Sequence, residues 1–238
     1  LNELETLEAS SPEWRGRLNV KEVGAIGQSF GGYTVLALAG ATLNFEQLQA
    51  DCENGREEKS WNVSLLLQCR AYDLPHNSPT LRDDRVKAVM ALNPIASSVF
   101  GQAGISQIQI PVTISAGSAD TIAPALMEQI RPFAALKIPE KYLVLMQNGT
   151  HFSTLGESES NEGVVLSLPP EAIGPNPSIG QRYTRAFSLA FFETYLAQQP
   201  EYRSFLTAKY ARSISQEVMP LYTIQLLDET QLAEILSE

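Results

Sequence analysis

The sequence predicts an α/β protein built on a mostly parallel sheet with helices on both faces. Short, nearly continuous apolar runs alternate with helical stretches, as strands buried on both faces require. One of those runs ends in a serine flanked by glycines, which opens a helix of small residues. The stretch from Arg182 to Gln198 carries its apolar residues at helical spacing. Crossovers in such a sheet are right-handed, and ligands bind at the carboxyl ends of the strands.

Residues 3–9 read as a helix, closed by the turn Ser10-Ser11-Pro12. Trp14 to Asn19 leads into a first strand, Val23 to Gly27, and the helix after it ends near Gly40. Residues 42–80 differ in character. They hold both cysteines, a charged patch from Arg56 to Lys59 and the apolar run Val63 to Leu67, and they close with Pro75 and Pro79. Such a length is large for a structureless connection, so an inserted cap with helices of its own is expected. The second strand is Arg85 to Leu92, stopped by Asn93-Pro94. The third is Ile110 to Ala116, and Pro124 opens a helix through Leu136. Lys141 to Gln147 is the fourth strand, ended by Asn148-Gly149. Residues 155–180 are rich in Glu, Ser, Gly and Pro and read as a long surface loop. In the helix from Arg182 to Gln198, Tyr183, Phe187, Ala190, Phe191, Thr194 and Tyr195 share one face. Residues 1–198 thus form the main domain. Residues 199–238 are expected to be a helical extension, its last helix capped by Asp228 with Gln231 three residues on. There is no internal repeat.

A chain of 238 residues suits one domain, or one domain plus an extension, and 44% hydrophobic residues suffice for a sizeable core. No apolar run reaches the ~18 residues of a membrane span. The net charge of −10 argues against nucleic acid and against charge-driven binding to anionic membranes. The first residue is Leu1, so the chain is expected to be processed or cut from something longer. Cys52 and Cys69 admit two readings. A disulfide would close a moderate loop, contribute about 3 kcal/mol and imply an exported protein, periplasmic or secreted. Two unrelated thiols are the alternative, and a cytoplasmic location goes with it. Asn148-Gly149-Thr150 matches a glycosylation triplet but reads as a turn.

The chemistry centres on Ile26-Gly27-Gln28-Ser29-Phe30-Gly31-Gly32. A serine at a sharp strand-to-helix turn with glycine two residues to each side is a nucleophile elbow. Side chains at Gly27 and Gly31 are expected to collide with the neighbouring strand and helix. The free N–H groups of the helix start and its dipole favour negative charge, so the Phe30 amide is a natural oxyanion donor. A serine hydroxyl needs a base, and the base an orienting acid. The chain has two histidines. His151 follows the fourth strand, at the same sheet end as Ser29, whereas His76 lies in the cap. Asp120 follows the third strand. Asp73, Asp83 and Asp84 precede a strand or lie in the cap. The plainer reading of Asp120 is a cap for the helix near Pro124.

These motifs, with Gly117-Ser118-Ala119-Asp120 and Gly149-Thr150-His151-Phe152, resemble the α/β-hydrolase superfamily, which uses the chain order Ser29, Asp120, His151. Within it the chain is similar to cyanobacterial predicted dienelactone hydrolases and plasma-type platelet-activating-factor acetylhydrolases, in which a cysteine-bearing insertion also follows the elbow helix. Gln28 stands where relatives often have histidine. Dienelactone hydrolases proper use a cysteine nucleophile, so Ser29 favours simple ester hydrolysis. The resemblance implies a serine esterase acting on a small-molecule ester or lipid, with no cofactor or metal. It also implies several strands before the nucleophile strand, one of whose loops gives the second oxyanion amide. Only 22 residues precede Val23. An N-terminal segment or a separate chain is therefore expected to complete the sheet. The alternatives are a non-catalytic binding domain with the same fold and a peptidase or acyltransferase using the same triad.

Overall fold

The computed structural model describes residues 1–54, 62–76, 80–155, 173–174 and 176–237. The charged patch at residues 56–59 and most of the loop read at 155–180 lie outside them.

Five strands form one sheet in the order β1 (Val23–Gln28), β2 (Val86–Leu92), β3 (Val112–Gly117), β4 (Lys141–Met146) and β5 (Leu221–Ile224). The first three pairings are parallel and β4–β5 is antiparallel. Every residue of β3, and all of β2 except Lys87, is buried. That explains their continuous apolar sequences. β1 is an edge strand, and its Ile26 is 48% exposed.

Side chains alternate across the pleat, and each face has its own core. Val89, Ala91, Ile114, Ala116 and Leu143 pack beneath α2 (Phe30–Leu38), α5 (Ser97–Ile105) and α6 (Arg131–Ala135). Met90, Leu92, Tyr142 and Val144 face α7 (Pro177–Tyr195), whose Tyr183, Phe187, Ala190 and Phe191 are buried against them. The helical face read from the sequence is thus the one that covers the sheet. α7 begins at Pro177, five residues before the expected start. Proline in the first helical turn has its φ preset and lacks only an N–H that has no partner there.

Residues 42–80 hold α3 (Phe45–Asn54), α4 (Val63–Gln68) and a 3-10 turn (Cys69–Asp73), so the segment carries its own helices. A Cys52–Cys69 disulfide ties α3 to the end of α4. The α1 helix (Asn2–Ser10) buries none of its residues and reaches the body through Glu5, which accepts from Arg85 at 2.9 Å.

One expectation needs correction. Residues 199–238 are not a purely helical extension. After a 3-10 turn (Pro200–Leu206) and α8 (Ala208–Ile214) the chain enters β5, which pairs antiparallel with β4 at one edge of the sheet before α9 (Glu229–Ser237). β5 spans only four residues and buries Leu221 and Thr223, a pattern too short to stand out. The helix α5 leaves little trace in the sequence. Gly101 and Gly104 lower its propensity, and Gly101 is non-helical at φ 58.

Candidate active site

The parallel ladder continues past the strand ends. The Ser29 N–H donates to the Leu92 carbonyl at 2.9 Å, and the Asn93 N–H to the Ser115 carbonyl at 2.9 Å. Ser29, Asn93 and the loops after β3 and β4 therefore converge at one end of the sheet.

Ser29 has φ 57 and ψ −114, between β1 and the first turn of α2. This is left-handed backbone that non-glycine residues rarely adopt, and its strain is of the kind stored at functional turns. The steric demand falls differently from expectation. A Cβ on Gly27 would meet the Gly31 carbonyl oxygen at 2.2 Å, whereas one on Gly31 would meet nothing within 4 Å. The second tight position is Gly32, where a Cβ would stand 2.9 Å from Cα of Pro94. Phe30 begins α2, so its amide has no intrahelical acceptor. The residue is 55% exposed.

The loops after β3 and β4 interlock. The Ala119 N–H donates to the Gly149 carbonyl at 2.8 Å, and the Ser118 N–H to the Met146 carbonyl at 3.0 Å. Gly117 permits this approach, since a Cβ there would lie 2.4 Å from the Gly149 oxygen. The consequence is a buried pair. His151 Nδ1–H donates to Asp120 Oδ2 at 2.7 Å. A carboxylate oxygen that accepts here places a proton on Nδ1, and in the neutral imidazole of that tautomer Nε2 is the acceptor.

Among the described residues the Asp120 carboxylate accepts four hydrogen bonds. Oδ1 takes the N–H groups of Ile122 at 2.9 Å and Ala123 at 2.8 Å. Oδ2 takes His151 and also Asn93 Nδ2 at 2.9 Å. Oδ1 therefore holds the turn at Ile122 and Ala123, ahead of the helical turn whose N-cap is Ala125, so Asp120 does not cap that helix, and Oδ2 holds the imidazole. In the sequence Asn93 marks only the stop of a strand. Its position at the carboxyl end of the strand beside β1 was the available signal.

Gln28 Nε2 donates to the His151 carbonyl at 2.7 Å and so joins the elbow to the histidine loop. Among the described residues no hydrogen bond links the Ser29 hydroxyl to the imidazole. In ligand-free sites such bonds are often long, and they tighten with substrate. His76 lies apart in the insertion, stacked on Phe45 at 4.3 Å between ring centroids. Asp83 lies before β2 and binds Arg85, which pulls its carboxyl down to about 2. Asp84 binds Arg82. Neither is near the strand carboxyl ends. Among the described residues no group of three or more His, Cys, Asp and Glu is arranged to hold a metal ion, and no helix is long and apolar enough to cross a membrane. No protein-family model matches the chain, and no curated protein matches it.

Proposed function

We propose that this chain is a serine hydrolase of the α/β-hydrolase type that cleaves carboxylic esters through an acyl-enzyme. The observation that carries the reading is the buried His151–Asp120 pair, joined through Gln28 to a serine in strained elbow geometry. In the reaction His151 Nε2 takes the proton of Ser29 Oγ as the oxygen attacks the ester carbonyl. The tetrahedral oxyanion takes the Phe30 N–H at the start of α2. His151 then returns the proton to the leaving alcohol. Water, deprotonated by the same nitrogen, releases the acid and regenerates Ser29. Asp120 holds the tautomer and stabilises the imidazolium.

Among the described residues β1 pairs with β2 alone, and this edge supports a second part of the proposal. A strand laid along that edge, from a preceding segment or another chain, completes the sheet and brings the second oxyanion amide. The disulfide supports residence in an oxidising compartment, periplasmic or extracellular.

The test is hydrolysis of p-nitrophenyl acetate, butyrate and octanoate by this chain and by a form extended at its N-terminus, each beside Ser29→Ala. Turnover that Ser29→Ala abolishes is expected, strongest in the extended form. Inertness of both forms together with no labelling by an organophosphonate overturns the reading and leaves a binding domain in its place.

A further inference from the structure

Behind Asp120 lies a second carboxylate that the proposed mechanism does not use. Leu126–Ile130 forms a π-helical turn, a device frequent at functional sites. It carries both Glu128 and Gln129 inward, and both are fully buried. No cation touches Glu128 among the described residues; its partners are neutral donors from two other parts of the chain. From the insertion come Asn62 Nδ2 at 2.9 Å, Ser64 Oγ at 2.6 Å and Gln68 Nε2 at 3.0 Å. From the segment after β2 come the N–H groups of Ala96 at 2.9 Å and Ser97 at 3.0 Å, with Ser97 Oγ at 2.7 Å. A buried carboxylate with so many accepted bonds costs a great deal to disturb.

Each of these segments leads to Asp120. On the insertion side the Ser64 N–H donates to the Ile122 carbonyl at 3.0 Å, and the Ile122 N–H donates to Asp120 Oδ1. On the β2 side Ala96 lies three residues beyond Asn93, whose amide holds Asp120 Oδ2. Gln129 Nε2 fixes the same segment through the Pro94 carbonyl at 2.8 Å. The π-turn begins six residues after Asp120, and its Glu128 N–H donates to the Pro124 carbonyl at 2.9 Å. The insertion, the segment after β2 and the π-turn, each one step from a group that holds Asp120, therefore meet on one side chain.

We infer that Glu128 is the positioning residue of this site, holding the catalytic acid through the inserted segment and the β2 loop without touching substrate. The inference rests on the hydrolase reading for its kinetic arm only. Glu128→Gln keeps the shape but turns an acceptor oxygen into a donor amide facing donors. Two readouts are taken. The low-field proton NMR signal of His151 Nδ1–H, assigned by its loss in Asp120→Asn, reports the pair without substrate. The expected result is a signal broadened or lost in Glu128→Gln, with kcat down roughly tenfold to a hundredfold and KM within about twofold, since a displaced orienting group acts on the chemical step. An unchanged signal and unchanged kcat overturn the inference. So does a parallel loss in kcat and folded fraction with the proton signal of the folded molecules intact, which is a stability role alone. Should Glu128→Gln not fold, Ser64→Ala removes one donor and leaves the carboxylate. A perturbed signal there supports the inference, and an unperturbed one overturns it. A wild-type protein that hydrolyses no ester yet shows the signal change in Glu128→Gln sinks the esterase reading and leaves the positioning role standing.

Discussion

Ser29 stands at φ 57 because the chain reverses there between strand and helix, and the side chain it displaces is the absent one at Gly27. The two glycines of the motif differ in consequence. Gly27→Ala drives a methyl into backbone that cannot yield and should destabilise the fold by about 3 kcal/mol in urea denaturation. Gly31→Ala meets open space and should retain activity, with stability unchanged or up to about 1 kcal/mol higher from helix propensity. Equal losses in the two variants contradict this account of the elbow. The elbow was legible in the sequence because a turn and its glycines are local. Which glycine bears the steric load was not, because it depends on where the helix backbone swings. Asn93 shows the same limit. Its amide reaches Asp120, 27 residues away, across strands whose pairing no local pattern declares. Removing it in Asn93→Ala leaves one carboxylate oxygen short of a donor, and kcat should fall roughly tenfold at constant KM, as loss of a buried bond to a charged group implies.

At the scale of elements, what was readable was again what is local. The capping box of α9 was read directly and is reciprocal: Gln231 N–H donates to Asp228 Oδ1 at 2.9 Å and Asp228 N–H to Gln231 Oε1 at 3.0 Å. The start of α5 was invisible because its caps are remote. Gln68 accepts the N–H groups of Ser98 and Val99, and Glu128 those of Ala96 and Ser97. Lys141 joins the elements around β4. Its buried ammonium donates to the carbonyls of Phe133 at 3.1 Å, Leu136 at 2.9 Å and Leu227 at 2.8 Å, and burial lowers its pKa. Lys141→Met strands those acceptors and should cost about 3 kcal/mol by chemical denaturation. Reduction of Cys52–Cys69 frees a loop 17 residues long and should likewise cost about 3 kcal/mol, read as a fall in Tm with reductant. An unchanged Tm contradicts it. Asp83 gives an acid-dependent term. Arg85 holds its carboxyl at about 2 against an ordinary 3.8, so its stabilisation is fully present above about pH 4 and is lost as pH falls toward 2. The stability gap between wild type and Asp83→Asn should therefore close between pH 6 and pH 2.

For the whole molecule, apolar runs alternating with helices identified a parallel sheet covered on both faces, because burial on both sides leaves that pattern and little else does. The antiparallel β5 escaped, since a four-residue strand is recognised by its partner and not by its own sequence. The result is a sheet with β5 at one edge and β1, the strand that ends at Ser29, at the other. All the proposed chemistry lies at the carboxyl ends between them. The most direct measurement is intact-protein mass spectrometry after treatment with a fluorophosphonate, on wild type, Ser29→Ala and His151→Ala. A single adduct on Ser29, absent in Ser29→Ala and strongly slowed in His151→Ala, is the predicted result. No adduct on the wild type, or one that persists in Ser29→Ala, contradicts the assignment of Ser29 as an activated nucleophile.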